Sequence, residues 1–128
     1  MTDTTPRSAL NWFELFVTDL KRAQTFYEQV LNTKLRLEDF GGMPNAIFEA
    51  PGVAGSLVKH PSRKPSSDGT LLYLNCNGTL DACRSRVERA GGKVVMPKTD
   101  IGDPGFIALV VDTEGNTVGL HTERAAAR

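Results

Sequence analysis

The sequence predicts an α+β protein built from two similar βαβββ modules, each with its helix on one face of a mixed sheet. A strand-like run, a helix cap and an amphipathic helix follow one another from Trp12, and the same order returns from Leu71. The two caps, Asp19 and Thr79, lie sixty positions apart. A repeat of about half the chain indicates two modules rather than an array, because one small module cannot bury its apolar face alone.

These repeats define the expected domain organisation. At 128 residues the chain fits a single domain that can bury a core without disulfides. We therefore expect one domain over residues 1–128, with module one at about 10–60, a linker at about 61–69 and module two at about 70–122.

Module one begins with a predicted strand at residues 12–17. Strand alternation places Glu14 on one face together with the aromatic residues Trp12 and Phe16. Asp19 can cap the helix that follows, in which apolar residues recur at spacings of three and four. Asn32 is a candidate left-handed residue at the helix end, and three further strands are predicted near 34–40, 45–50 and 54–60.

Module two repeats this order with a strand at 71–76, in which Tyr73 and Asn75 lie on the same side as Glu14. Thr79 is a good N-cap, and Gly91 with Gly92 ends the predicted helix. A strand at 93–96, turn formers at 97–105, a strand at 106–111, a hairpin turn in DTEGN at 112–116 and a strand at 117–122 complete the module.

Composition narrows the classes of function. Fifteen Lys and Arg balance fifteen Asp and Glu, so there is no long-range attraction to nucleic acid or anionic membranes, and neither is expected as a partner. The basic residues Lys59, Arg63 and Lys64 lie among Pro and Ser, which favours a solvated linker. Cys76 and Cys83 suit reduced, packed thiols, and the polar start lacks an apolar leader. We expect a soluble cytoplasmic protein.

Three segments in order carry a family resemblance: ELFVTDLKRAQTFYEQVL, VERAGGKVVMPKTDIG and GFIALVVDTEGNTVGLHT. Together they resemble the glyoxalase, bleomycin-resistance and extradiol-dioxygenase superfamily, also called the vicinal oxygen chelate fold, over roughly residues 11–122. The chain is most similar to the bacterial subgroup of predicted enzymes related to lactoylglutathione lyase. The resemblance implies that the curved sheet forms a U-shaped cleft, with the helices outside, in a homodimer that binds small molecules and often a divalent metal.

The chain departs from the metal-dependent members of this superfamily at the ligand positions. Matched by spacing, those positions hold Trp12, Ser56, Leu71 and Gly119. Indole, isobutyl and a bare α-carbon offer no lone pair, and a neutral hydroxyl is a poor donor to zinc, nickel, iron or manganese. We expect no metal and no other cofactor there.

A displaced metal site is a further alternative. Glu14 lies two residues beyond Trp12, and His121 two beyond Gly119, so both are expected on the cleft face. His60 is a candidate third ligand. The competing interpretation is that these side chains bond to solvent or backbone.

The first functional hypothesis is a metal-free protein that binds a small organic molecule in the cleft. Aromatic side chains would supply stacking area and polar groups would fix orientation. The candidate ligand-binding residues are Trp12, Phe16, Ser56, Tyr73, Asn75 and Gly119, with Glu14 as an orienting group. The competing interpretation is that the aromatic residues are core or dimer contacts.

The second hypothesis is a lyase or isomerase of glyoxalase type, metal-independent or metal-assisted. Glu14, partly desolvated beside aromatic rings, would act as the general base, and His121 would polarise a substrate oxygen or return the proton. A metal-dependent glyoxalase or dioxygenase is the third hypothesis. The sequence leaves open whether the protein is an enzyme and which ligand it takes.

Overall fold

The computed structural model describes residues 5–127, so residues 1–4 and 128 of the expected domain lie outside the described part. Residues 5–127 form eight strands and two α-helices in two successive βαβββ units. The first unit contains β1 (Trp12–Phe16), α1 (Leu20–Leu31), β2 (Arg36–Phe40), β3 (Met43–Phe48) and β4 (Ala54–Val58). The second contains β5 (Tyr73–Asn75), α2 (Leu80–Arg86), β6 (Lys93–Asp100), β7 (Phe106–Val111) and β8 (Thr117–Thr122). A short 3₁₀ turn at Arg124–Ala126 follows.

The strands form two four-stranded mixed sheets, which confirms the α+β prediction. Their orders are β1-β4-β3-β2 and β5-β8-β7-β6. In each sheet the first strand pairs in parallel with the last strand of its own unit, and the other pairs are antiparallel. β1 and β5 are therefore both edge strands, and residues 59–72, which we call the connector, run between the two sheets.

Helix α1 follows its sequence signals closely. The Asp19 side chain caps it by accepting a hydrogen bond from the backbone N–H of Arg22 at 3.0 Å. Asn32 ends it in the left-handed conformation at φ 52°. The apolar stripe at spacings of three and four is buried, with Ala23, Phe26, Tyr27 and Val30 all inside.

Helix α2 is shorter than the sequence predicts. It ends at Arg86, and turns lead from there to Gly91 and Gly92, where the prediction had ended the helix. Thr79 occupies the N-cap position as predicted, yet its side chain makes no capping hydrogen bond. Its hydroxyl lies 3.6 Å from the sulfur of Cys83 instead, so the expected local stabilisation is missing.

Strand β6 is longer than predicted. It extends to Asp100, through part of the stretch at 97–105 in which turn formers had predicted a loop. Two register shifts, between Val94 and Met96 and between Met96 and Thr99, interrupt its pairing with β7. β6 is an edge strand, and an edge strand with bulges can include Pro97, whose missing N–H is not needed for pairing there.

One hydrophobic core includes residues of both units. Alternate residues of β1 and β5, such as Leu15 and Leu74, turn inward, and the buried faces of α1 and α2 complete the cluster. Among the described residues, no helix is both long and apolar enough to cross a membrane. The other side of each sheet carries the residues predicted to form the site.

Candidate functional site

The predicted site residues lie on the sheet faces that do not contact the core cluster, which we call the open faces. On the first sheet, Glu14 pairs in register with Ser56. On the second, Tyr73 pairs with Gly119 and Asn75 with His121. The alternation predicted from the sequence is confirmed, since the intervening residues of β1 and β5 belong to the core.

The aromatic residues of the open faces differ in their surroundings. Trp12 and Tyr73 are 43% and 47% exposed. Phe16 is half-buried because His60 packs edge-on against its ring, with centroids 5.7 Å apart, and the guanidinium of Arg63 lies 5.8 Å from the ring centre. Phe16 is thus covered by the connector on one side, whereas Trp12 and Tyr73 present large exposed surfaces.

Two of the predicted polar site residues already have hydrogen-bond partners within the chain. Ser56 is fully buried, and its hydroxyl donates to Asn45 Oδ1 at 2.8 Å. Asn75 Oδ1 accepts a hydrogen bond from the backbone N–H of Asn77 at 2.9 Å. Ligand contact at Ser56 and Asn75 remains a prediction, and at Ser56 a ligand would have to replace an existing internal hydrogen bond.

The structure does not bring Glu14 and His121 together. His121 Nε2 lies 2.7 Å from the carbonyl oxygen of Pro104, and because a carbonyl can only accept, this nitrogen carries the proton. Glu14 is exposed, so the expected partial desolvation of its carboxylate is absent in the single chain. Within residues 5–127 no hydrogen bond links the two side chains. Their joint role in catalysis therefore remains a prediction.

A cleft of about 410 Å³ lies along the edge of β1, beside the approach to β5. We call it the seam cleft, and Glu14 and Phe16 are the two predicted site residues that line it. Its other lining residues are Leu10, Phe13, Leu15, Lys64, Ser66, Asp68, Thr70, Leu72, Asn116 and Thr117. The cleft combines aromatic surface with charged groups of both signs, which is the composition expected of a site for a small organic molecule.

Asn116 is a site residue that sequence reasoning missed. It is 6% exposed, and its Oδ1 accepts a hydrogen bond from the backbone N–H of Ser66 at 2.9 Å. Its Nδ2 donates to the backbone carbonyl of Phe16 at 2.9 Å. One amide thus fixes the connector, β1 and the β7–β8 turn at the seam cleft. The signal was the DTEGN turn, which predicted a hairpin but not a contact with the other module.

At the positions that match the metal ligands of metal-dependent superfamily members, the residues of this chain do not fit a metal. Gly119 has no side chain, and the ring of Tyr73 lies so close to its α-carbon that an added Cβ would overlap the ring. A carboxylate or imidazole at this position would need the space that Tyr73 occupies. Among residues 5–127, no three His, Cys, Asp or Glu side chains cluster where they could hold a metal ion.

The two cysteines are free and buried, as the sequence predicted. Arg86 Nη2 lies 3.7 Å from Cys83 Sγ. The neighbouring thiol of Cys76 and the Arg86 cation lower the pKa of Cys83, against the effect of burial, and contact with Cys83 together with burial raises the pKa of Cys76. Both sulfurs are enclosed by the core, so they do not form part of the seam cleft.

Comparison with known proteins gives a family match over most of the chain. The model of the family described as the glyoxalase/bleomycin resistance protein/dioxygenase superfamily matches residues 9–120. A protein of Mycobacterium bovis named "Putative glyoxylase CFP32" is 28% identical over 120 residues, as is its counterpart in Mycobacterium tuberculosis. The match covers 86% of this chain and 44% of each relative, so the chain spans under half the length of these curated relatives.

Solved structures agree with the fold. A glyoxalase/bleomycin resistance protein from Albidiferax ferrireducens superposes with a TM-score of 0.73 at 15% identity, covering 91% of this chain and 99% of that one. A mutant of glyoxalase I from Zea mays gives a TM-score of 0.69 at 23% identity, covering 88% of this chain and 45% of that one. At these identities the likeness shows the fold alone.

Proposed function

Because the chain belongs to the glyoxalase/bleomycin resistance protein/dioxygenase superfamily, we propose that it binds a small organic molecule in the seam cleft and uses no metal at the positions typical of metal-dependent relatives. The observation that carries the proposal is the position of Glu14 and Phe16 in one cleft of about 410 Å³ beside the apolar residues Phe13 and Leu72. An aromatic wall supplies contact area, and the Glu14 carboxylate supplies orientation.

The geometry of the second sheet supports the metal-free part of this proposal. Tyr73 lies over Gly119, so the open face offers a ring where a metal-dependent relative would need a ligand. Tyr73 is 47% exposed. An exposed ring on a rigid strand is suited to stacking on a flat organic group.

A second candidate function follows from the state of Glu14. Its carboxylate is exposed in the seam cleft and makes no hydrogen bond or ion pair with any other residue of the described chain. A carboxylate with free lone pairs can accept a proton from a bound substrate, which would make the protein a metal-independent lyase or isomerase. His121 does not line the seam cleft, so Glu14 would act there without it.

Ligand screening by the fluorescence of Trp12, the sole tryptophan, tests the binding proposal. A ligand of the seam cleft should bind the protein and lose affinity in Phe16→Ala, while Leu37→Ala, which removes a 59% exposed side chain from β2, should bind as the wild type does. Thermal melting confirms that both variants are folded. Equal loss in both variants, or no loss in Phe16→Ala, would place the ligand elsewhere.

Two further measurements separate binding from catalysis. Elemental mass spectrometry of protein purified without chelator should give close to zero bound iron, nickel, zinc and manganese, and one metal per chain would overturn the metal-free proposal. Any turnover found with a bound ligand should be lost in Glu14→Gln with the fold intact. Full activity in that variant would remove Glu14 from the mechanism.

We also propose that the protein is a homodimer in the cytoplasm. Exposed apolar side chains lie on or directly before the edge strands β1 and β5: Leu10, Trp12, Leu71 and Tyr73 are each between 37% and 48% exposed. Burying such side chains favours association of two copies. Sedimentation equilibrium should give twice the chain mass, and a monomer at all concentrations would contradict this.

A further inference from the structure

A second cleft, of about 510 Å³, lies on the other side of the connector and is strongly basic. Lys59, His60, Arg63 and Lys64 line it together with Thr18 at the start of α1. We call it the basic cleft. From sequence alone Lys59, Arg63 and Lys64 were expected to lie in a solvated linker, and all three are exposed in the connector. They also line one concave surface.

Among residues 5–127, none of the Lys59, Arg63 and Lys64 side chains forms an ion pair or a hydrogen bond, although Arg63 lies against the ring of Phe16. The ion pairs of the described residues use other basic side chains, and none of them includes Lys59, Arg63 or Lys64. The cleft has one carboxylate in its lining, that of Glu114, whose side chain is fully buried and already paired with Arg22 at 2.7 Å. The chain carries no net charge, so this concentration of unpaired positive charge is local.

Several contacts hold the basic cleft in shape. The connector is fixed at one end by the hydrogen bond from Ser66 to Asn116. Arg63 and His60 both pack on the ring of Phe16. His60 Nδ1 accepts from the backbone N–H of Ser62 at 3.1 Å, so in the neutral ring the proton lies on Nε2, available as a donor. Groups held in place lose less entropy when a ligand binds.

The basic cleft adjoins the seam cleft. Lys64 lines both, and Phe16, which lines the seam cleft, contacts two residues of the basic cleft. A ligand with its apolar part against Phe16 would therefore have Lys64 in the same cleft and Arg63 against the same ring. An oxyanion is the group that guanidinium and ammonium donors bind most strongly.

We infer that the basic cleft is an oxyanion site, and that the ligand of this protein is an organic anion whose phosphate or carboxylate group is held by Lys59, Arg63 and Lys64. The identification of the ligand class rests on the proposed function of the seam cleft. The oxyanion site itself rests only on the unpaired cations and the cleft that they line.

Titration with sodium phosphate, and separately with sodium acetate, tests the site. Sodium chloride keeps the ionic strength constant, and ¹H–¹⁵N NMR spectra report each backbone amide. We expect saturable shifts at Thr18 and at residues 59–64. Saturation with phosphate identifies a phosphoryl group, and saturation with acetate alone identifies a carboxylate. Shifts no larger than those caused by chloride, with either anion, would overturn the site.

A charge-matched pair of variants separates a built site from a general charge effect. Lys59→Ala/Arg63→Ala/Lys64→Ala should weaken anion binding by about tenfold or more, the loss expected from charge-assisted hydrogen bonds. The control removes the same charge from exposed positions elsewhere, with Lys34→Ala/Arg89→Ala/Lys93→Ala. Equal weakening in both variants would overturn the site.

These experiments test the seam cleft and the oxyanion site separately. If neutral aromatic ligands bind in a Phe16-dependent manner while phosphate and acetate do not bind, the oxyanion site fails and the proposed function stands. If phosphate or acetate binds at residues 59–64 while no ligand depends on Phe16, the oxyanion site stands and the proposed function fails.

Discussion

Glu114, in the turn between β7 and β8, binds Arg22 of α1 through both carboxylate oxygens, with Nε–Oε2 at 2.7 Å and Nη2–Oε1 at 3.0 Å. The backbone N–H groups of Thr18 and Asp19 donate to the same carboxylate at 2.9 and 2.8 Å. A residue of the second module thus satisfies two backbone N–H groups directly before the first turn of a helix of the first. The contact joins the two modules directly.

The first prediction concerns acid stability. Burial of Glu114 opposes ionisation, but hydrogen bonds from Arg22, Asp19, Thr113 and Thr18 outweigh it and lower the pKa of Glu114 from 4.5 to about 2. A lowered folded-state pKa stabilises the protein fully above pH 4.5 and progressively less as the pH falls towards 2. We expect about 2 to 3 kcal/mol of unfolding free energy to be lost over this window. Urea denaturation at a series of pH values measures it.

A matched pair of variants tests this assignment. Glu114→Gln removes the charge and should reduce both the stability at pH 7 and its decline in acid. Glu88→Gln, at an exposed position, should keep the wild-type profile. If Glu114→Gln showed the same acid dependence as the wild type, another carboxylate would be responsible.

The second prediction concerns the buried pair Tyr27 and Asp112. The hydroxyl of Tyr27 donates to Asp112 Oδ2 at 2.7 Å. Burial raises the pKa of Tyr27 well above its usual value, and the Asp112 carboxylate adds to this, so the phenol remains a neutral donor. Tyr27→Phe leaves a buried carboxylate oxygen short of one donor, which should cost about 1 to 3 kcal/mol of unfolding free energy.

Tyr73→Phe is the control for Tyr27→Phe, because Tyr73 is half-exposed and its hydroxyl bonds to no other residue of the described chain. Its melting temperature should equal that of the wild type. Asp112→Asn should lower the unfolding free energy more than Tyr27→Phe, since Asp112 also accepts from the backbone N–H groups of Glu114 and Asn116. Equal stability of all three variants would show that the pair contributes nothing.

The turn at 112–116 shows how far the sequence could predict this fold. DTEGN predicted the hairpin, which forms with the backbone N–H of Asp112 bonded to the carbonyl of Asn116 at 2.9 Å. A turn propensity is local, so it carried no information that Glu114 would reach α1 or that Asn116 would bind the connector. Those contacts depend on how the modules pack, which one sequence does not encode in a readable pattern.

The site was predictable to a similar extent. Strand alternation placed Glu14 and Phe16 correctly on an open face, because a period of two is a property of every strand. It could not show that Ser56 is buried and hydrogen-bonded to Asn45, or that Lys59 and Arg63 line a cleft. A linker rich in Pro and Ser has no period from which the direction of a side chain can be predicted.

The third prediction compares two glycines, each facing an aromatic ring on a paired strand. Gly55 lies against Phe13 and Gly119 against Tyr73, and a Cβ at either glycine would overlap the ring. Phe13 is half-buried and stacks on Phe48, with centroids 5.6 Å apart, so it has little space to move. Gly55→Ala should therefore cost about 2 to 3 kcal/mol, the upper range for overpacking.

Gly119→Ala should cost less than about 1 kcal/mol, since Tyr73 is 47% exposed and its ring can turn into solvent. Urea denaturation of both variants gives the comparison, and Phe13→Leu/Gly55→Ala should recover stability relative to Gly55→Ala by making room in the core. Displacement of the Tyr73 ring should also lower the affinity of any ligand that stacks on it, without a matching loss of protein stability. A Gly119→Ala variant as unstable as Gly55→Ala would show that Tyr73 is held in place over Gly119.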